Sequence, residues 1–172
     1  MSCVAAGLLG YLMDTATVLP EPQDLDAMAG HIARMHQQNG GATFNLYFGD
    51  MSGQALFAVS VFPNGTVVES GRLVSPSVLR QYMRDTERLL RDPRNNVGTW
   101  YNPADDSTYL DVSTTLPERE TAVALAVRCN QIAIYDLAGR EELSTFGTGE
   151  DLSDLPPEDE RLPPLSSVRG SG

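Results

Sequence analysis

The sequence predicts an α+β fold, an antiparallel or mixed sheet with helices on one face, and three observations predict it. Apolar residues recur every three or four positions in three segments, period-two runs bounded by turn residues lie between them, and the two patterns alternate along the chain. From Gln54 onward the order reads strand, helix, strand, strand, helix, strand, apart from a short strand at Thr66. That order is the split βαβ, or ferredoxin-like, arrangement.

Residues 1–21 form an apolar leader whose order the sequence leaves open; its run has no positive flank and is too short to span a bilayer. Leu25, Met28, Ile32 and Met35 then mark one face of a helix over 22–38, stopped by Asn39-Gly40-Gly41. Strands are expected at 43–48 and 54–62, separated by Gly49, Asp50, Ser52 and Gly53. Pro63-Asn64-Gly65 reads as a hairpin turn, because Asn and Gly tolerate positive φ, so 66–69 should return antiparallel. Ser75-Pro76 is an N-cap followed by a first-turn proline, and the helix they open should run to Arg91 with Leu79, Tyr82, Met83, Thr86, Leu89 and Leu90 inward.

A hairpin follows, 97–101 with 108–113, around Asn102-Pro103-Ala104-Asp105-Asp106. Thr115-Leu116-Pro117-Glu118 has capping-box spacing and should open a helix that Asn130 turns. A strand at 131–137, a turn at Ala138-Gly139-Arg140 and an edge strand at 141–146 complete a single domain over 22–149. Residues 150–172, rich in Asp, Glu, Pro and Ser, read as a disordered acidic tail.

Composition narrows the function classes. With 41% hydrophobic and 20% charged residues the chain has globular composition, and its net charge of -11 disfavours nucleic acid and anionic membranes while favouring a protein partner with a basic surface. All twelve basic residues are arginine. Cys3 and Cys129 are far apart and lack C-x-x-C spacing, which fits a reducing, cytoplasmic setting and gives neither disulfide nor zinc site.

The three best-known routes to an enzyme are closed. A chain without lysine holds no phosphate loop of the G-x-x-x-x-G-K-[ST] type, no glycine-rich dinucleotide fingerprint follows a strand, and no Ser or Cys stands in a nucleophile elbow. Glu118 and Glu120 form an E-x-E pattern, but at a helix start, where carboxylates serve the dipole. Asp105, Asp106 and Asp111 lack the spacing and closing Glu of a calcium loop. His31 and His36 are five apart, not the four that sets two imidazoles over one ion, and read as surface residues. No catalytic residue, metal ligand or cofactor is assigned.

Two clusters remain as ligand- or partner-binding candidates. Arg80, Arg84, Arg88 and Arg91 share one helical face and could clamp phosphates or an acidic partner, or simply be a solvated face laced by Asp85 and Glu87. Trp100 and Tyr101, with Tyr109, flank the Asp105-Asp106 turn and could stack a base or a partner side chain. Alternation sends Trp100 and Tyr101 to opposite faces. In the tail, Arg161-Leu162-Pro163-Pro164-Leu165 has the form of a polyproline ligand, a pattern frequent by chance. The edge strand at 141–146 leaves a homodimer open.

Val97-Gly98-Thr99-Trp100-Tyr101, Thr108-Tyr109-Leu110-Asp111-Val112-Ser113 and Asn130-Gln131-Ile132-Ala133-Ile134-Tyr135-Asp136-Leu137 together resemble uncharacterised proteins carried by phages and plasmids of bacteria, over about two thirds of the chain from Asn39. The resemblance brings no assigned activity. It implies a mobile-element origin, and with it a small acidic protein that binds and blocks a host protein, for example a defence component. The alternative is a nucleotide- or phosphate-binding protein or enzyme that uses the arginine stripe and the aromatic platform.

Overall fold

The structure, a computed structural model, describes residues 19–150 and 153–165. The leader's residues 1–18 lie outside the described part. Helix α1 (Leu25–Asn39) opens where the Asp24 carboxylate accepts from the Ala27 N–H at 2.9 Å and ends at Gly40, whose φ of 78° only glycine adopts freely. Strand β1 (Gly41–Asn45) follows at once. Asn45 cuts the expected 43–48 strand short: its Oδ1 accepts from the N–H groups of Tyr47 and Phe48 and turns the chain into β2 (Gly49–Asp50).

Strand β3 (Phe57–Ser60) leads to a turn of 3₁₀ helix at Pro63–Gly65 and then to β4 (Val67–Ser70). Here the structure corrects the hairpin expected at Pro63-Asn64-Gly65. Both β3 and β4 pair antiparallel with the same strand, β6 (Ser107–Leu116), and run in the same direction along it. Residues 61–66 bulge out opposite Asp111 and Val112 instead of reversing. The physical reason is backbone conformation: neither Asn64 nor Gly65 takes the positive φ that a two-residue hairpin turn requires.

Helix α2 (Pro76–Asp85) starts at the predicted cap, with Ser75 Oγ accepting from the Val78 N–H. It stops six residues before Arg91, because Thr86 donates its hydroxyl to the Tyr82 carbonyl and breaks the run; a single turn, α3 (Glu87–Leu90), continues beyond. Strand β5 (Asn95–Asn102) and β6 form the predicted hairpin, with Asp106 at a φ of 53° in its loop. The capping box at Thr115 is not formed. Thr115 still belongs to β6, and α4 (Arg119–Arg128) begins after Glu118 without a side-chain cap. Asn130 turns the chain at a φ of 52° into β7 (Ala133–Asp136), and β8 (Glu141–Ser144) pairs with β7 as an edge strand.

The result is an α+β molecule built on one curled, eight-stranded antiparallel sheet in the order β2-β1-β5-β6-β3-β7-β8, with β4 beside β6. Each of α2 and α4 joins strands that have one antiparallel neighbour between them. The sheet extends past that unit through β1, β2 and β8, so the molecule is described by its whole curled sheet rather than by the narrower ferredoxin-like label. Phe44, Val59, Val97, Leu110, Val112 and Ile134 point to one face and form a single core with Ile32, Leu79, Met83, Leu125 and Ala126 of α1, α2 and α4. All the long helices therefore cover the same face. None of the described helices is long and apolar enough to cross a membrane.

Residues 153–165 also differ from the disordered tail expected over 150–172. They lie against the body through a turn, α5 (Glu158–Arg161). Leu155 and Leu162 pack on the core, the Arg161 guanidinium lies 5.1 Å from the Phe62 ring centre, and its Nη1 donates to the Val61 carbonyl. Apolar residues spaced among the prolines supply the anchors.

Candidate binding site on the uncovered sheet face

Side chains alternate along every strand, so a sheet whose one face is covered by helices presents the other set to a second environment. In this molecule that second face curls around a cavity of about 680 Å³ lined by β1, β3, β5, β6, β7 and β8. The register makes its lining an ordered array. Gly41, Trp100 and Tyr109 stand side by side on β1, β5 and β6; the next row is Thr43, Gly98 and Asp111; beyond it Ser113 lies opposite Ser60 of β3. Ala58 and Tyr135, paired across β3 and β7, continue the surface toward Glu142 of β8.

Asp111 is the chemical centre of this floor. Its carboxylate lies across the adjacent strand over Gly98: a Cβ at position 98 would collide with Oδ1 and come within 3.1 Å of Cγ. Only glycine leaves that space. Burial pushes the Asp111 carboxyl up to about 6, and among the described residues no neighbouring cation offsets the cost. Beside it the hydroxyls of Ser60 and Ser113 have no hydrogen-bond partner, and Ser113 is 4% exposed. Buried polar groups are nearly always satisfied, so adjacent hydroxyls that lack a protein partner on a cavity floor are open to water or to a guest.

The walls are aromatic. Trp100 and Tyr109 pack with ring centres 5.3 Å apart and a 35° tilt, and Tyr135, whose hydroxyl is pushed up by burial, faces the cavity farther along. Asp50, Arg72, Arg140 and Glu142 supply its other charges. Arg72 is held with its guanidinium 5.9 Å from the centre of the Tyr101 ring, and its carbonyl accepts from His36 Nε2 at 2.7 Å. His36 is fully buried, contrary to the surface position expected for it, and burial lowers its pKa. With Nε2 donating, Nδ1 accepts from the Thr99 hydroxyl at 2.9 Å. His31 is exposed as expected.

The candidates read from the sequence are divided between the two sides. Trp100 stands in the cavity wall and Tyr101 also lines the cavity. Asp105 and Asp106 are engaged within the hairpin: Tyr109 donates to Asp105, Tyr101 donates to Asp106, and each of these bonds raises its tyrosine's pKa. The arginine stripe is on the helical side, and carboxylates occupy it. Arg80 and Arg84 reach Asp26, Arg88 reaches Glu158 at 3.4 Å, and Arg91 reaches Glu87 at 2.6 Å. Stripe and aromatic platform thus do not converge on one ligand. Glu118 and Glu120 are exposed at the start of α4, away from the cavity. Among the described residues no group of three His, Cys, Asp or Glu could hold a metal ion.

The residues that sequence reasoning did not select are Asp111, Ser60, Ser113, Gly98 and Tyr135. One signal was present: in Tyr109-Leu110-Asp111-Val112-Ser113 the polar side chains alternate with apolar ones and so share the face opposite the core. No protein-family model matches the chain, and no significant match is found among curated proteins or solved structures.

Proposed function

We propose that this chain is a non-enzymatic binding protein that holds a basic partner protein on the uncovered, curled face of its sheet, in the manner of a mobile-element product that blocks a host factor. One observation carries the reading. Among the described residues the Asp111 carboxylate has no ion-pair or hydrogen-bond partner, and it shares a face with the Trp100 and Tyr109 rings and with two hydroxyls that also lack one, in a molecule of net charge -11. Such a group costs stability, and a face needed only for folding gains nothing from keeping it. A partner that brings positive charge and donors satisfies all three groups at once.

The test is capture from a bacterial lysate at low and high salt, with mass spectrometry, using the full chain, Trp100→Ala and Arg88→Ala, each checked for fold by circular dichroism. A protein that is retained by Arg88→Ala, lost by Trp100→Ala and weakened by salt supports the reading. Retention by Trp100→Ala with loss in Arg88→Ala moves the interface to the helical side and overturns it. The rival reading is a phosphate ester stacked on Trp100 and held by Arg72 and Arg140, which line the same cavity. Saturable thermal stabilisation by nucleotides that Arg72→Gln abolishes would favour that rival.

A further inference from the structure

We infer that the group received on this face is a guanidinium, an arginine side chain of the partner, laid against Trp100 with its N–H fork on Asp111. This rests on the binding reading above and names its chemistry. The floor offers acceptors in excess of donors: the Asp111 carboxylate, the Ser113 hydroxyl two residues along β6 on the same face, and the Ser60 hydroxyl opposite Ser113 on β3. A carboxylate and two hydroxyls match a donor with several N–H groups in one plane, which is what arginine presents and an ammonium does not. The carboxylate rests over Gly98, in space that only glycine leaves open, so it is already placed on this face.

The wall points to the same group. A guanidinium stacks on an aromatic face, and Trp is the best such face. The cavity lining already contains that pairing in Arg72 over Tyr101. Charge decides the sign of the guest. Asp50 and Glu142 oppose Arg72 and Arg140 among the lining residues, so Asp111 leaves the lining with a net negative charge. An anionic guest would face three carboxylates, Asp50, Asp111 and Glu142, against two arginines. A guanidinium instead favours the ionised form of Asp111.

Trp100 is the chain's single tryptophan, so its fluorescence reads the cavity directly. The experiment titrates the full chain at pH 7.5 with N-acetyl-arginine amide, and in parallel with N-acetyl-lysine amide, N-acetyl-citrulline amide and AMP. The expected result is a saturable Trp100 signal for the arginine probe in a roughly millimolar range. Lysine amide should bind more weakly and citrulline amide and AMP not at all, and Asp111→Asn, folded by circular dichroism, should weaken the arginine probe about tenfold or more. Equal responses to arginine and citrulline, or saturation by AMP alone, overturn the assignment. If the arginine probe fails while Trp100→Ala still abolishes partner capture, the guanidinium is wrong and the binding face stands. If Trp100→Ala leaves capture intact, the binding-face reading itself fails.

Discussion

Asp111 makes stability depend on pH in a direction opposite to that of an ordinary surface carboxylate. Its pKa rises from 3.8 to about 6 on folding, so the folded state binds the proton more tightly, and the contribution is present below about 4 and lost as pH rises through 6. At about 1.4 kcal/mol per pKa unit, with the cavity keeping the group partly wet, about 2 kcal/mol is at stake. Asp111→Asn is therefore expected to be about 2 kcal/mol more stable than the parent in urea unfolding at pH 7.5, the gap closing near pH 4. His36 has the opposite sign. Its lowered pKa means stability is complete above 6.5 and falls as the unfolded state takes up a proton below it. Comparing parent with Asp111→Asn at each pH cancels the histidine and isolates the carboxylate. Gly98 is tied to the same group: Gly98→Ala should cost about 2 kcal/mol or more by overpacking. Combining it with Asp111→Ala should recover more than about 1 kcal/mol of that cost in a double-mutant cycle.

At the level of elements, the prediction concerns the docked segment. A chain ending at Gly149 loses Leu155, Leu162 and Arg161 from the surface of the core, and about 1–3 kcal/mol of destabilisation is expected by urea unfolding. Arg161→Ala should reproduce part of this loss. Most elements were legible in the sequence because their signals are local: the Ser75 cap, the Asn130 turn and the 102–106 hairpin loop all act within a few residues. What was not legible depended on distant partners. Asn64-Gly65 carries hairpin residues, yet β6 offers both β3 and β4 a neighbour along one line, and that long pairing wins over the turn. His36 has the polarity of a surface residue, although its spacing from Ile32 puts it on the apolar face of α1, and Thr99 and Arg72 supply the partners that let it be buried. Of the candidate site, the aromatic residues Trp100, Tyr101 and Tyr109 were visible in the sequence. The alternation over 109–113 put Asp111 and Ser113 on the face opposite the core, but that they and Ser60 lack a partner among the described residues is a matter of tertiary proximity.

For the molecule as a whole, the two faces of the sheet divide the work: one carries the apolar core under the helices, the other the polar cavity. Arginines balance carboxylates on the helical side, where six described ion pairs lie at the surface or nearly so and contribute little each. Association with a basic partner should therefore slow several-fold between low and physiological salt in stopped-flow mixing, with dissociation much less affected. The central position of β6, bonded to β5 on one side and to β3 and β4 on the other, has a consequence for motion. Its amides should exchange with deuterium only when the entire chain unfolds, whereas those of β2 and β8 at the sheet margins exchange through local opening. Asp111 and Ser113 ride on that slowest strand, and Asp50 and Glu142 ride on the fastest two. The cavity thus has a fixed base and a yielding mouth, and a guest larger than the resting aperture can be admitted without disturbing the carboxylate that receives it.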